Sequence, residues 1–248
     1  MEMLVLAVSV KNLGLCIAGL DMETKEYVRI GHGNKCESLY NDEAVVDGTP
    51  ITVGDVIDVD VKKLPVFISQ TENYELIGKI KKIVRKAPYD ELKKIVSSKY
   101  KSDDRSYSLI MGNRFKTINS DYIDGYNYSI RSYVVRNVNI YYVNNAKKAS
   151  FFYDGVEYEG IAVTDSVLRG EPAMYGNGIE GTLAEAVITV TISINPFQAS
   201  GDDKARFYKY LSGLSSPELN TAVPQYETAR TTREMRGKLR AERRNHLH

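Results

Sequence analysis

With 248 residues, 43% hydrophobic and 26% charged, the chain is long enough for one large or two small globular domains, and it holds no apolar stretch of bilayer-spanning length. A formal net charge of +1 excludes a global polyelectrolyte attraction to nucleic acid or anionic membrane, so any such binding must come from a local patch. Cys16 and Cys36 are too few for a disulfide framework, and no basic n-region precedes the short apolar run of residues 3–10, which points to a cytoplasmic chain with free thiols.

Apolar runs at 3–10, 15–20 and 26–30 are separated by turn-like residues and predict three short strands. Residues 31–50, rich in Gly, Asn and Asp, read as a loop. From Val56 the pattern has period 2: Ile57, Val59 and Val61 share one face, and Asp58, Asp60 and Lys62 the other, as in a half-buried strand. Residues 64–74, with Pro65 and a polar run to Asn73, read as a loop. Ile77, Ile80, Ile83 and Val84 fit a helix by spacing, while Gly78 and the β-branched content keep a strand open. Pro88 opens a helix whose stripe is Leu92, Ile95 and Val96, and the polar stretch 102–105 closes it.

The second half reads as strands at 107–111, 132–143, 149–153, 156–164 and 186–194. Asn144-Asn145 marks one turn. Asp154-Gly155, between two runs rich in aromatic and β-branched residues, marks a tight hairpin that needs positive φ at both central positions. Ile188, Val190, Ile192 and Ile194 alternate with hydroxyl residues, a strand buried on one face. A loop holds Gly170, Gly176, Gly178 and Gly181, and residues 207–214 form a closing strand or a short helix. Residues 227–248 carry seven basic against three acidic side chains, a net charge of +4, with Arg236, Arg240 and Arg243 near helical spacing.

Three pieces resemble one family. Ser9 to Asp21, with Lys11, Asn12, Gly14, Cys16, Ala18 and Gly19, followed by Tyr27-Val28-Arg29, looks like the opening of the prokaryotic dual OB-containing domain family. Gln70-Thr71-Glu72-Asn73 resembles its mid-chain motif, and the hairpin around Asp154-Gly155 with Val163-Thr164-Asp165 resembles its second-domain hairpin. Tyr27 stands where Trp is expected and Ile30 where Pro is expected, and the basic tail is outside the pattern. The resemblance implies a mainly β protein with minor α: an OB-like barrel at 1–86, a connecting helix and linker at 87–105, a second barrel at 106–214, and a basic helical or disordered tail at 215–248. It also implies a nucleic-acid or nucleotide recognition module of prokaryotic or phage conflict systems, and no known reaction.

Tyr122, Tyr126, Tyr128, Tyr133, Tyr141 and Tyr142 lie among Arg114, Lys116, Arg131 and Arg136, the interleaving of a surface that stacks bases and tracks phosphates. The competing explanation is that tyrosine covers a barrel core in a chain with 18 Tyr, no Trp and 6 Phe. The expected binding residues are Lys11, Arg29 and Asn73 from the family motifs, Arg114, Tyr126, Tyr128, Arg131, Tyr133 and Arg136 from the second half, and Arg236, Arg240 and Arg243 from the tail. The partner is single-stranded DNA or RNA, with the tail adding phosphate affinity or a protein contact. A sensor or adaptor for a small nucleotide-like ligand or a protein is the alternative.

A metal-dependent nuclease built on Asp58, Asp60 and Lys62 is weaker, because an exposed strand face gives the same residues. Cys16, His32 and Cys36 lack the paired spacing of a structural zinc site. The glycine loop lacks the Lys-Ser/Thr of a phosphate cradle, and one His in the folded region offers a poor base for a nucleophilic triad. No catalytic residue, metal or cofactor is expected.

Overall fold

The computed structural model describes residues 1–11, 14–67, 70–99, 108–172, 178–198 and 203–219. Glu2–Lys11 (β1), Gly14–Asp21 (β2) and Tyr27–Gly31 (β3) form an antiparallel meander. Val45–Val46 (β4) and Thr49–Pro50 (β5) make a short hairpin on Asp47-Gly48, both at positive φ. Asp55–Asp58 (β6) then pairs with β1, while Val61–Lys63 (β7) pairs with Asn73–Leu76 (β8), which runs parallel to β3. Residues 55–63 thus bridge the first strand and the last, with Val59 N–H donating to Met1 C=O (3.0 Å) and Ile77 N–H to Asp60 C=O (2.9 Å). Lys82–Lys86 (β9) extends the sheet beyond β6.

The helix Tyr89–Lys99 (α1) starts after Pro88 and buries Tyr89, Leu92 and Val96. Farther on, Thr117–Asn119 (β10) precedes a second meander of Ile130–Val143 (β11), Ala146–Tyr153 (β12) and Val156–Val163 (β13). Both of its turns, Asn144-Asn145 and Asp154-Gly155, have positive φ at both positions, which suits the twist of a two-residue hairpin. The one-turn helix Ser166–Arg169 (α2) leads to Gly181–Ile192 (β14) and Arg206–Ser215 (β15). β15 runs parallel to β13 and antiparallel to β14, and β14 pairs with β11, so the barrel closes; β10 adds outside β15. Each half therefore repeats one topology, a three-strand meander whose third strand lies parallel to the last strand while the fourth returns to the first, and the protein is mainly β with two OB barrels.

Two local expectations differ, and two left open are resolved. The loop expected at 64–74 ends in β8, where the polar Asn73 hid the strand character because its partner Arg29 lies 44 residues away in sequence. Residues 77–84, open between helix and strand, enter the edge strand β9. The strand expected at 107–111 is, from Ile110 to Gly112, a 3₁₀ turn with Met111 at φ 50°; Tyr107 lies outside the described residues. Residues 207–214 are strand.

The barrels pack directly on each other. Leu4, Leu6, Leu20 and Val56 meet Ile130 and Val187, with Leu92 and Val96 of α1 closing the same cluster. Thr189 Oγ1 donates to the Leu6 carbonyl at 2.7 Å, and Val10 N–H donates to Thr164 C=O at 2.8 Å. Gly213 permits this approach: a Cβ there would stand 2.0 Å from the Leu6 oxygen. Asp165, fully buried, caps α2 through Leu168 N–H (2.8 Å) and holds Leu214 N–H (3.1 Å). Desolvation pushes its carboxyl up to about 7 against the opposing pull of these donors.

Gly213→Ala is expected to cost about 3 kcal/mol, because backbone on both sides must move; a urea titration reads it as a lower midpoint. Asp165 binds its proton more tightly folded than unfolded, where its value is about 3.9. Its contribution to stability is therefore full below about pH 4 and lost as pH rises through about 7. Unfolding midpoints measured across that window should show this decline in the natural protein and not in Asp165→Asn.

Candidate nucleic-acid interface

The end of the second barrel is plugged by Ile110 and Met111, both fully buried. Two tyrosine hydroxyls inside the barrel hold this plug: Tyr158 accepts from Ile110 N–H (3.0 Å) and Tyr133 from Met111 N–H (2.8 Å). Met111 and Gly112 both take left-handed backbone, which turns the chain out again, and the Tyr126 and Tyr128 hydroxyls crowd Gly112. Asn113 Oδ1 then accepts from Phe115 N–H (2.8 Å) and presents Arg114, Phe115 and Lys116 to solvent.

Lys209 anchors the same segment from β15. Its ammonium is buried and donates to the Ile110 carbonyl, to the Asn113 carbonyl (2.7 Å) and to Asn113 Oδ1 (2.9 Å). All three partners are neutral acceptors, and burial pushes the amine down to about 7.

Above the plug lies an open cleft of about 930 Å³. Arg114, Phe115, Lys116, Tyr122, Tyr126 and Arg206 line it together with Glu157 and Glu159 of β13. Phe115 is 61% exposed and Tyr122 69%. The Arg114 guanidinium lies 5.4 Å from the Phe115 ring centroid. Phe197, also exposed, packs on Tyr208 with ring centroids 6.3 Å apart and bridges to Arg206. The arrangement offers flat aromatic faces beside cations, which suits stacking of unpaired bases with contacts to their phosphates.

Of the expected binding residues, Arg114 and Tyr126 come together in this cleft. Tyr128 packs under Tyr126 (centroids 5.3 Å apart), and Tyr133 sits in the barrel core. Arg136 is exposed on β11 opposite Glu185 of β14, away from the cleft lining. Tyr141 is half-buried and accepts from Gly160 N–H, whereas Tyr142 is exposed under Lys147.

Arg29, Asn73 and Arg131 lie in the seam between the barrels. Arg29 donates to Asn73 Oδ1 (3.1 Å) and Ser129 Oγ (3.0 Å), and Asn73 donates to Gln70 Oε1 (3.1 Å). Glu72 accepts from Ser129 N–H (2.7 Å), Ser129 Oγ (3.0 Å) and Ile130 N–H (3.2 Å), with Arg131 3.8 Å away. Arg131 lies over the Tyr128 ring (4.1 Å) and near Tyr27 (5.3 Å). Lys11 lines a separate, smaller cleft at the junction. Arg236, Arg240 and Arg243 lie outside the described residues.

Phe115, Arg206, Phe197 and Tyr208 were missed by sequence reasoning. Phe115 carried a usable signal, an aromatic between two cations; the others are joined only by strand pairing. Asp60 is exposed and pairs with Lys81 (2.6 Å), His32 contacts Glu43 (2.8 Å), and the Cys36 thiol, pushed up to about 11 mainly by burial, faces the carbonyls of Arg29 and Tyr74. Among the described residues no group of three or more His, Cys, Asp or Glu is placed to hold a metal ion, and no helix is long and apolar enough to cross a membrane.

The family model described as "Dual OB-containing domain" matches residues 1–214. None of the curated proteins compared with the chain matches it.

Removing the Lys209 anchor takes away the short bonds to the Ile110 and Asn113 carbonyls and leaves Asn113 Oδ1 with only the Phe115 N–H. Lys209→Met is expected to cost about 2–3 kcal/mol and to release the segment leading to the cleft, read as faster tryptic cleavage after Arg114 and Lys116 in the folded protein.

Proposed function

Since the chain belongs to the dual OB-containing domain family, we propose that it binds nucleic acid, single-stranded DNA or RNA, through the cleft of its second barrel, without catalysing a reaction. OB folds commonly bind oligonucleotides through one sheet face and its flanking loops. The observation that carries the reading is the exposure of Phe115 and Tyr122 beside Arg114, Lys116 and Arg206. Exposed aromatic faces gathered beside cations are the surface that single-strand binding uses. Stacking is tolerant of sequence because every base has a π-face, so little sequence preference follows.

The basic tail adds affinity by displacing counterions from phosphates, independent of sequence. The setting inferred from the family resemblance is a cytoplasmic component of prokaryotic or phage conflict systems. Near-neutral overall charge fits a site of local rather than global attraction.

Filter binding with a homopolymer oligonucleotide at low salt provides the test. Phe115→Ala combined with Tyr122→Ala should weaken binding about tenfold or more. Arg114→Ala should lower the slope of log affinity against log salt by about 0.7. Deleting residues 217–248 should lower that slope further. Absence of binding at low salt, or binding indifferent to all these changes, would overturn the reading.

A further inference from the structure

At the junction of the barrels lies a second cleft, of about 360 Å³, that shares no lining residue with the first. Lys11 of β1 and Arg29 of β3 face it from the first barrel; Thr164, Thr191, Tyr210 and Ser212 face it from the second. No Asp or Glu is among its described lining residues. This sets it apart from the cleft above the plug, where two glutamates offset the cations.

Among the described residues no carboxylate is in direct hydrogen-bonding contact with the buried charge here. Arg29 is 3% exposed, and its described side-chain partners are the neutral Asn73 and Ser129. Glu72 is reached only through the Ser129 hydroxyl and is also approached by Arg131, so one carboxylate serves two guanidinium groups. Lys11 Nζ donates to the Cys36 carbonyl at 3.0 Å and adds a second cation to the same cleft. Buried cations are ordinarily matched by an anion, because desolvating them alone is expensive.

Opposite the cations runs a chain of hydroxyls. Thr191 Oγ1 lies 2.6 Å from Ser212 Oγ, which lies 3.0 Å from Thr164 Oγ1. Hydroxyls both donate and accept, so this wall suits a ligand that itself carries hydroxyls. We propose that the junction cleft binds a small phosphorylated ligand of the nucleotide class, its phosphate on Lys11 and Arg29 and its sugar hydroxyls on Thr164, Thr191 and Ser212. The volume is at the lower end of the range for small-molecule sites, about 300–1,000 Å³, which fits one nucleotide and not a strand. Because residues of both barrels would touch it, such a ligand bridges the junction.

The site does not depend on the nucleic-acid reading, and the experiment keeps the two apart. The full chain is titrated by calorimetry and thermal shift with nucleoside 5′-monophosphates, the free nucleosides, inorganic phosphate and a homopolymer oligonucleotide. A monophosphate should bind and raise the melting temperature by mass action, and its nucleoside should bind at least about tenfold more weakly. Lys11→Met and, separately, Thr191→Val should each weaken the monophosphate about tenfold, whereas Phe115→Ala should not affect it.

The proposal falls if no monophosphate binds at millimolar concentration, if nucleoside and nucleotide bind alike, or if inorganic phosphate binds as tightly as the nucleotide. It also falls if Phe115→Ala abolishes nucleotide binding while the junction variants retain it. Loss of oligonucleotide binding alone would bear only on the other cleft.

Discussion

One buried carboxylate fixes how the two barrels meet. Glu72, immediately before β8, accepts from the hydroxyl and backbone N–H of Ser129 and from Ile130 N–H at the start of β11. A carboxylate removed from water is tolerated only when such donors surround it. Its satisfaction therefore ties the last strand of one barrel to the first strand of the next. Arg131 carries the connection onward, lying over Tyr128, which packs on Tyr126 beside the plug segment at Gly112. The seam and the exposed cleft are thus joined by contacts without being one site.

The polar residues divide into two kinds of work. In the seam, Arg29 is held by Asn73 and Ser129, and Glu72 by Ser129 and Ile130, so these side chains are fixed in place by the packing of the barrels. Above the plug, Phe115 and Tyr122 make no comparable commitment and face solvent. Lys209 stands between the cases: a buried amine whose three acceptors all belong to the segment it positions, so its role is to place Arg114 and Lys116 rather than to touch a ligand.

Hairpins were the most legible part of the sequence, because Asn144-Asn145 and Asp154-Gly155 state their turn geometry locally. The alternation from Ile188 to Ile192 likewise marks a strand, but not its second face: Thr189, read as wet, is fully buried and bonded to Leu6 of the other barrel. β8 was not legible: Asn73 and Glu75, and Glu72 just before them, look like loop residues until distant partners are in place, Arg29 for Asn73 and Ser129 and Ile130 of the other barrel for Glu72. The burial of the motif residues Arg29 and Asn73 was hidden for the same reason, since a domain a hundred residues away leaves no local mark. Tyr133 read as available for stacking as Tyr126 did, and only the plug shows that its hydroxyl is occupied inside the barrel. Phe115 was within reach of sequence reasoning, whereas its convergence with Arg206 depends on the pairing of β10 with β15.

β15 has a bearing on how the chain comes to be made. It pairs with β10, β13 and β14, and its Gly213 lies against β1, so neither the second barrel nor the cover over Leu4 and Leu6 is complete until residue 215 has left the ribosome. The bond from Thr189 to Leu6 closes a separation of 183 residues. Contacts so distant in sequence form late, after most of the chain entropy has been lost. During synthesis the first barrel therefore waits with an apolar flank uncovered, the kind of surface that recruits chaperones or neighbouring nascent chains.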